Sequence, residues 1–208
     1  LNIIDCPGSD DFVGAALTAL NVTDTAMLLI NGQFGPEVGT QNHFRYTEKL
    51  HKPVIFLVNQ LDTDGCDYDV VVEDLQTIYG QKVVPVQYPV KTGADFNALI
   101  DVILMKKLTW GPDGGEPTLE DIPAEEKDKA EAMHKALVEA AAENDEGLME
   151  KFFETEHLTE DEMREGIRKG MITRSIFPVF CVCASKNMGV GRLMEFLGNV
   201  VPFVDEMP

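Results

Sequence analysis

Three short runs of apolar residues constrain this chain most. They are residues 26–30 (Ala-Met-Leu-Leu-Ile), 53–58 (Pro-Val-Ile-Phe-Leu-Val) and 177–183 (Phe-Pro-Val-Phe-Cys-Val-Cys). Without polar alternation, such a run reads as a strand covered on both faces, the habit of a parallel sheet between helices. Helical spacing fills the intervals. Phe12, Val13, Ala16, Leu17 and Leu20 fall on one helix face, and Val71, Val72, Leu75 and Ile78 on another. Pro36 opens a third helical stretch, residues 36–50, and residues 189–201 form a closing helix. A fourth apolar run, residues 1–4, ends in Asp5 and is followed by Pro7 and Gly8. It predicts a strand, a tight turn and a helix beginning at Asp10 and Asp11, whose charges suit the first turn. The alternation predicts a doubly wound α/β domain.

The rhythm stops after residue 90 and resumes at residue 177. Residues 83–90 are β-rich, but Pro85 and Pro89 allow only an edge or interrupted strand. Residues 91–116 predict a small antiparallel element with a Gly-rich loop, and residues 119–169 a charged helical region. Thr159 and Glu162 have capping-box spacing. The expected organisation is a discontinuous domain, residues 1–90 and 175–208, interrupted by an α+β subdomain, residues 91–174.

Charge narrows the partners. With 36 acids against 17 bases the net charge is −19, and no basic face offers generic binding to a phosphate backbone. Docking on a nucleoprotein through a local patch or a basic protein remains open. No apolar run is long enough to span a bilayer, and no secretory leader pattern is visible. The four cysteines, Cys6, Cys66, Cys181 and Cys183, form no CxxC or zinc spacing and read as reduced core residues. The chain has no initiating Met and opens on an apolar run, so it is expected to be part of a longer protein.

Chemistry is expected at the carboxyl ends of the strands, where open α/β sheets bind ligands. Asp5, with Gly8 three residues on, suits a hydrated cation and a phosphate approached by a backbone N–H. Asn59 and Asp62, also three apart, suit guanine. The carboxylate accepts from the ring N–H and exocyclic amine, and the amide meets the acceptor edge. Cys183, Ala184 and Ser185 would let backbone N–H groups touch a base.

Taken together these segments resemble the GTPase domain of the translation elongation factor G family. Asp5-Cys6-Pro7-Gly8 resembles its Asp-x-Pro-Gly, and Asn59-Gln60-Leu61-Asp62 its Asn-Lys-x-Asp. Cys183-Ala184-Ser185-Lys186-Asn187-Met188-Gly189-Val190 resembles its Ser-Ala-x-Lys-Asn-x-Gly-Val. Leu108-Thr109-Trp110 and Glu120-Asp121-Ile122-Pro123-Ala124 resemble the G′ insertion that sets this family apart. The resemblance implies a P-loop-NTPase-like, mostly parallel sheet, truncated at its N-terminus, with the insertion described above. It implies a cytoplasmic translational GTPase that moves tRNA and mRNA on the ribosome and meets large-subunit stalk proteins through the insertion. Asp5 would hold magnesium through water, Gly8 would sense the terminal phosphate, and Asn59 and Asp62 would read guanine.

Four departures qualify that expectation. The phosphate-cradling loop, first strand and first switch, which precede Asp5 in the family, are not in this sequence. Ser9 stands where the family has the water-positioning histidine, so no catalytic residue carries over. Gln60 replaces the motif lysine, and Cys183 replaces a serine. The fragment itself is therefore expected to bind no GTP, GDP or magnesium and to lack GTPase activity. The alternative is a non-hydrolysing ribosome-binding paralogue with a degenerate nucleotide site. In the family the first strand lies between the strand ending at Asp5 and residues 26–30. Its absence predicts either pairing of those two strands or association with another chain.

Overall fold

The computed structural model describes residues 1–203 and residue 206. Helix α1 (Val13–Val22) follows a short 3-10 turn, Asp10–Phe12, and leads to β1 (Ala26–Asn31), α2 (Val38–Lys49), β2 (Val54–Asn59) and α3 (Tyr68–Tyr79). Then come β3 (Val83–Pro85), β4 (Gln87–Pro89), β5 (Ala98–Asp101), β6 (Lys106–Thr109) and β7 (Thr118–Glu120). Helices α4 (Ala124–Ala142), α5 (Glu146–Thr155) and α6 (Glu160–Ile172) precede β8 (Phe177–Cys181) and α7 (Val190–Asn199).

The fold is α/β. A parallel sheet of order β1-β2-β8-β3 stands beside a separate antiparallel sheet of order β4-β5-β6-β7. Strand β2 is the centre. Val54, Ile55, Phe56, Leu57 and Val58 are all buried, because β1 and β8 flank them and helices cover both faces. Phe44, Phe56, Tyr79 and Phe177 form one aromatic cluster, Phe56 stacked on Phe44 and Tyr79 and Phe177 edge-on to Phe44, with the Arg174 guanidinium against Phe44 and Phe177.

Four expectations need correction. Residues 1–8 form no strand, and Leu1, Ile3 and Ile4 are exposed. An isolated extended segment has no ladder to receive its N–H and C=O groups, and among the described residues none is provided. Of the two outcomes expected, association with another chain or pairing of these residues with β1, the pairing does not form, so the outer edge of β1 has no strand partner among the described residues. Strand β1, expected to be covered on both faces, instead leaves Leu29 61% exposed. Fourth, Leu119 and Glu120, expected in the helical region, belong to β7.

The interrupted strand breaks at Val86, and each half joins a different sheet. The Val86 N–H donates to the Val179 carbonyl at 3.1 Å, and its own carbonyl accepts from Val102 at 3.0 Å. Pro85 and Pro89 supply no N–H, which suits positions at a crossover. A buried network ties the sheets together just beyond. Asp101 is fully buried and accepts from Arg192 Nε at 2.8 Å, from Gln87 Nε2 at 2.9 Å and from the Ile103 and Leu104 amides. Gln87 Oε1 in turn accepts from the Cys181 N–H. The Thr159 and Glu162 capping box is formed at the start of α6. Lys151 and Thr159 pull the Glu162 carboxyl down to about 2.

Candidate functional site

Strand register brings the polar ends level. Asn31 pairs with Asn59, and Val58 pairs with Cys181. Each apolar run therefore delivers its first polar residues to the same edge of the sheet. Asn59, the last residue of β2, accepts the Ala184 N–H on its Oδ1 at 3.1 Å. Asn31 Nδ2 donates to Gln60 Oε1 at 2.6 Å. Gln60 adopts a left-handed φ of 62°, which turns the chain sharply, while Leu61 is fully buried and anchors it. Asp62 comes to lie beside the loop that follows β8.

That loop is closed by a pair of backbone hydrogen bonds between Cys183 and Met188, at 2.9 and 3.1 Å. Ala184, Ser185 and Lys186 form one 3-10 turn between them, all exposed, with Asn187 left-handed at its end. Lys186 Nζ lies 3.1 Å from Asp62 Oδ2. Burial pushes the Asp62 carboxyl up, but the Cys183 thiol and Lys186 outweigh it and hold the carboxyl below its usual range. The Cys183 thiol is fully buried, 3.5 Å from Ser185 Oγ, and burial raises its pKa.

Asn59, Gln60, Leu61 and Asp62 thus meet Cys183, Ala184 and Ser185. The result is an ionised carboxylate flanked by a side-chain amide and a small-residue turn. This donor and acceptor set is complementary to a planar ring with two adjacent N–H donors. The long stem of Lys186 borders the same place. Sequence reasoning did not assign roles to Asn31 or Lys186. The shared ending of two apolar runs in Asn was the available signal for Asn31.

The other sequence-derived residues are elsewhere. Asp5, Pro7, Gly8 and Ser9 are exposed, and Cys6 is half-buried with its Sγ 4.0 Å from the Ala15 carbonyl. The Ser9 carbonyl accepts from Phe12 N–H and starts the 3-10 turn. Among the described residues no hydrogen bond joins residues 1–8 to the Asn59 and Asp62 cluster. No group of three or more His, Cys, Asp or Glu among the described residues is arranged to hold a metal ion. The arrangement fits a purine base. It does not fit magnesium or a phosphate chain, because Asp5 and Gly8 lie on an exposed coil rather than at a strand end.

Among the described residues no helix is long and apolar enough to cross a membrane. Residues 1–203 match the family described as elongation factor Tu GTP binding domain. A crystal structure of ttk003000868 from Thermus thermophilus is similar, with a TM-score of 0.86 and 30% sequence identity. The match covers 95% of this chain and 29% of that one, so this chain spans under a third of that relative's length.

Proposed function

This chain belongs to the elongation factor Tu GTP binding domain family, and from that premise we propose that it is the guanine-reading part of an elongation factor G-type translational GTPase. The observation that carries the proposal is the meeting of Asn59, Asp62, Ala184 and Lys186 at one sheet edge. Asp62 accepts from the ring N–H and exocyclic amine of guanine, and the Ala184 turn packs beside the base. Cys183, which lowers the Asp62 carboxyl, stands where the family has serine.

The finer assignment rests on the insertion. An antiparallel sheet and three helices stand between α3 and β8, and Leu108-Thr109-Trp110 and Glu120-Asp121-Ile122-Pro123-Ala124, which resemble the family's insertion, fall within this stretch. In this reading residues 1–90 and 175–208 are the GTP-binding domain and residues 91–174 the insertion. The parent acts in translocation on the ribosome, and the charged helices α4, α5 and α6 meet stalk proteins.

A second reading, a non-hydrolysing ribosome-binding paralogue, is favoured by Ser9 and by the exposed coil of residues 1–8. Ser9 is too short to replace a histidine that positions water. The parent's ribosome-stimulated phosphate release separates the two readings: turnover supports the first, and ribosome binding without turnover the second.

Base recognition is tested on the chain itself by NMR titration with guanosine, adenosine and xanthosine. Guanosine shifts the Asn59, Asp62 and Ala184 resonances and adenosine does not. Asp62→Asn converts an acceptor into a donor and moves the preference toward xanthosine, which carries a carbonyl where guanine carries its amine. Equal response to guanosine and adenosine contradicts the proposal.

A further inference from the structure

The loop that borders the base site is held by the antiparallel sheet at three points. Before the loop, the Cys181 N–H donates to Gln87 Oε1 of β4 at 3.3 Å. After it, Arg192 of α7 is paired with Asp101 of β5 at 2.8 Å. Between these anchors, the turn that joins β6 to β7 rests on the loop directly. Gly115 N–H donates to the Asn187 carbonyl at 3.1 Å, and Trp110 Nε1 donates to the Gly115 carbonyl at 3.0 Å. Gly114 is left-handed, and a Cβ there would overlap the Lys186 carbonyl oxygen. Only glycine permits that approach of two backbones.

Lys186 is the residue paired with Asp62. The backbone that carries it is therefore pressed against a turn of the other sheet, and its side chain ends on the carboxylate of the base site. The line of contact runs from buried Trp110 through Gly115 and Gly114 to Lys186 and Asp62.

We propose that Gly114 is a positioning residue for base recognition: its turn sets the backbone of Lys186 and Asn187, so displacement of the antiparallel sheet changes guanine selectivity. The selectivity part rests on the base-reading proposal above; the mechanical part does not. A partner that shifts the inserted sheet would thereby act on the base site without touching it.

Amide hydrogen exchange tests the mechanical part. The Cys183, Lys186, Asn187 and Met188 amides are hydrogen-bonded within the loop and so report its integrity. Gly114→Ala forces the two backbones apart and raises exchange at these amides by about tenfold or more, with β2 amides unchanged. Trp110→Phe removes one donor and has a smaller effect of the same kind. Gly111→Ala, whose Cβ meets nothing within 4 Å, changes nothing. Unaltered loop exchange in a folded Gly114→Ala protein overturns the proposal. Should that variant not fold, Trp110→Phe decides: faster loop exchange supports the proposal and unaltered exchange overturns it.

The second arm measures the guanosine over adenosine preference. Gly114→Ala lowers it and Gly111→Ala preserves it; an unchanged preference in Gly114→Ala overturns the selectivity part. A wild-type chain without preference removes the base-reading proposal and the selectivity part together, and the exchange arm still decides whether the turn positions the loop.

Discussion

Residues 59–62 and residues 5–8 carry comparable sequence signals, a motif pair three residues apart that includes one carboxylate and follows an apolar run, yet they reach opposite ends. The first pair sits at the end of β2, which has strands on both sides, and it is joined by the Ala184 N–H and Lys186. The second pair follows a run that finds no strand partner among the described residues and stays exposed coil. The lesson is physical: a motif acquires geometry from its neighbours. Ladder hydrogen bonds and burial hold Asn59 in place, whereas Asp5 has neither.

The largest expected effect follows from removing what holds the ordered region. Arg192→Leu leaves the Asp101 charge buried without its cation and costs about 3–5 kcal/mol of stability in denaturant unfolding. A loss as small as that of a surface change would mean the sheets are not tied there. Next, truncation separates the two regions. Ile55→Ala, fully buried in β2, costs about 2–5 kcal/mol. Ile4→Ala, half exposed in the coil, stays within about 0.5 kcal/mol. Equal losses would show that residues 1–8 pack in solution after all.

Cysteine reactivity sharpens the same contrast. Cys6 is half-buried in the coil, whereas Cys183, in the loop beside Asp62, is fully buried. Burial raises the Cys183 pKa, so a neutral-pH thiol reagent followed by peptide mass spectrometry labels Cys6 at least about tenfold faster. Comparable rates would contradict the closed loop around Cys183.

The smallest effect is electrostatic. The Asp62 pKa lies below its unfolded value, so its contribution to stability is present at neutral pH and disappears as pH falls through the folded value. The stability gap between wild type and Asp62→Asn is below about 1 kcal/mol, since Lys186 is well exposed, and it closes below about pH 4. A gap that widens in acid would reverse the assignment of charge.

Much of this was legible in the sequence because it is local. The apolar run of β2, the helix Tyr68–Tyr79 and the Thr159 and Glu162 capping box depend on residues close in sequence. The meeting of Asn59 with Ala184 was legible indirectly, because parallel strands bring their carboxyl ends together. The split at Val86 was not: two prolines announce an interruption but not that each half joins a different sheet. Nor were the pairs Asp101 with Arg192 and Gly114 with Lys186, which are far apart in sequence and lack any periodic pattern. Residues 1–4 have the composition of a strand yet stay coil, because strand formation is decided by pairing rather than by composition alone.

The central claim is that the base-reading half of the site is assembled while the phosphate-facing half is not. It is tested most directly by comparing guanosine with GDP on this chain, by the same NMR titration in the presence of magnesium. Phosphates add affinity only where backbone N–H groups or a cation are arranged to receive them. The account predicts that GDP binds no more than about tenfold tighter than guanosine. Micromolar GDP affinity beside millimolar guanosine affinity would contradict it, because residues 5–8 would then have to form a phosphate site.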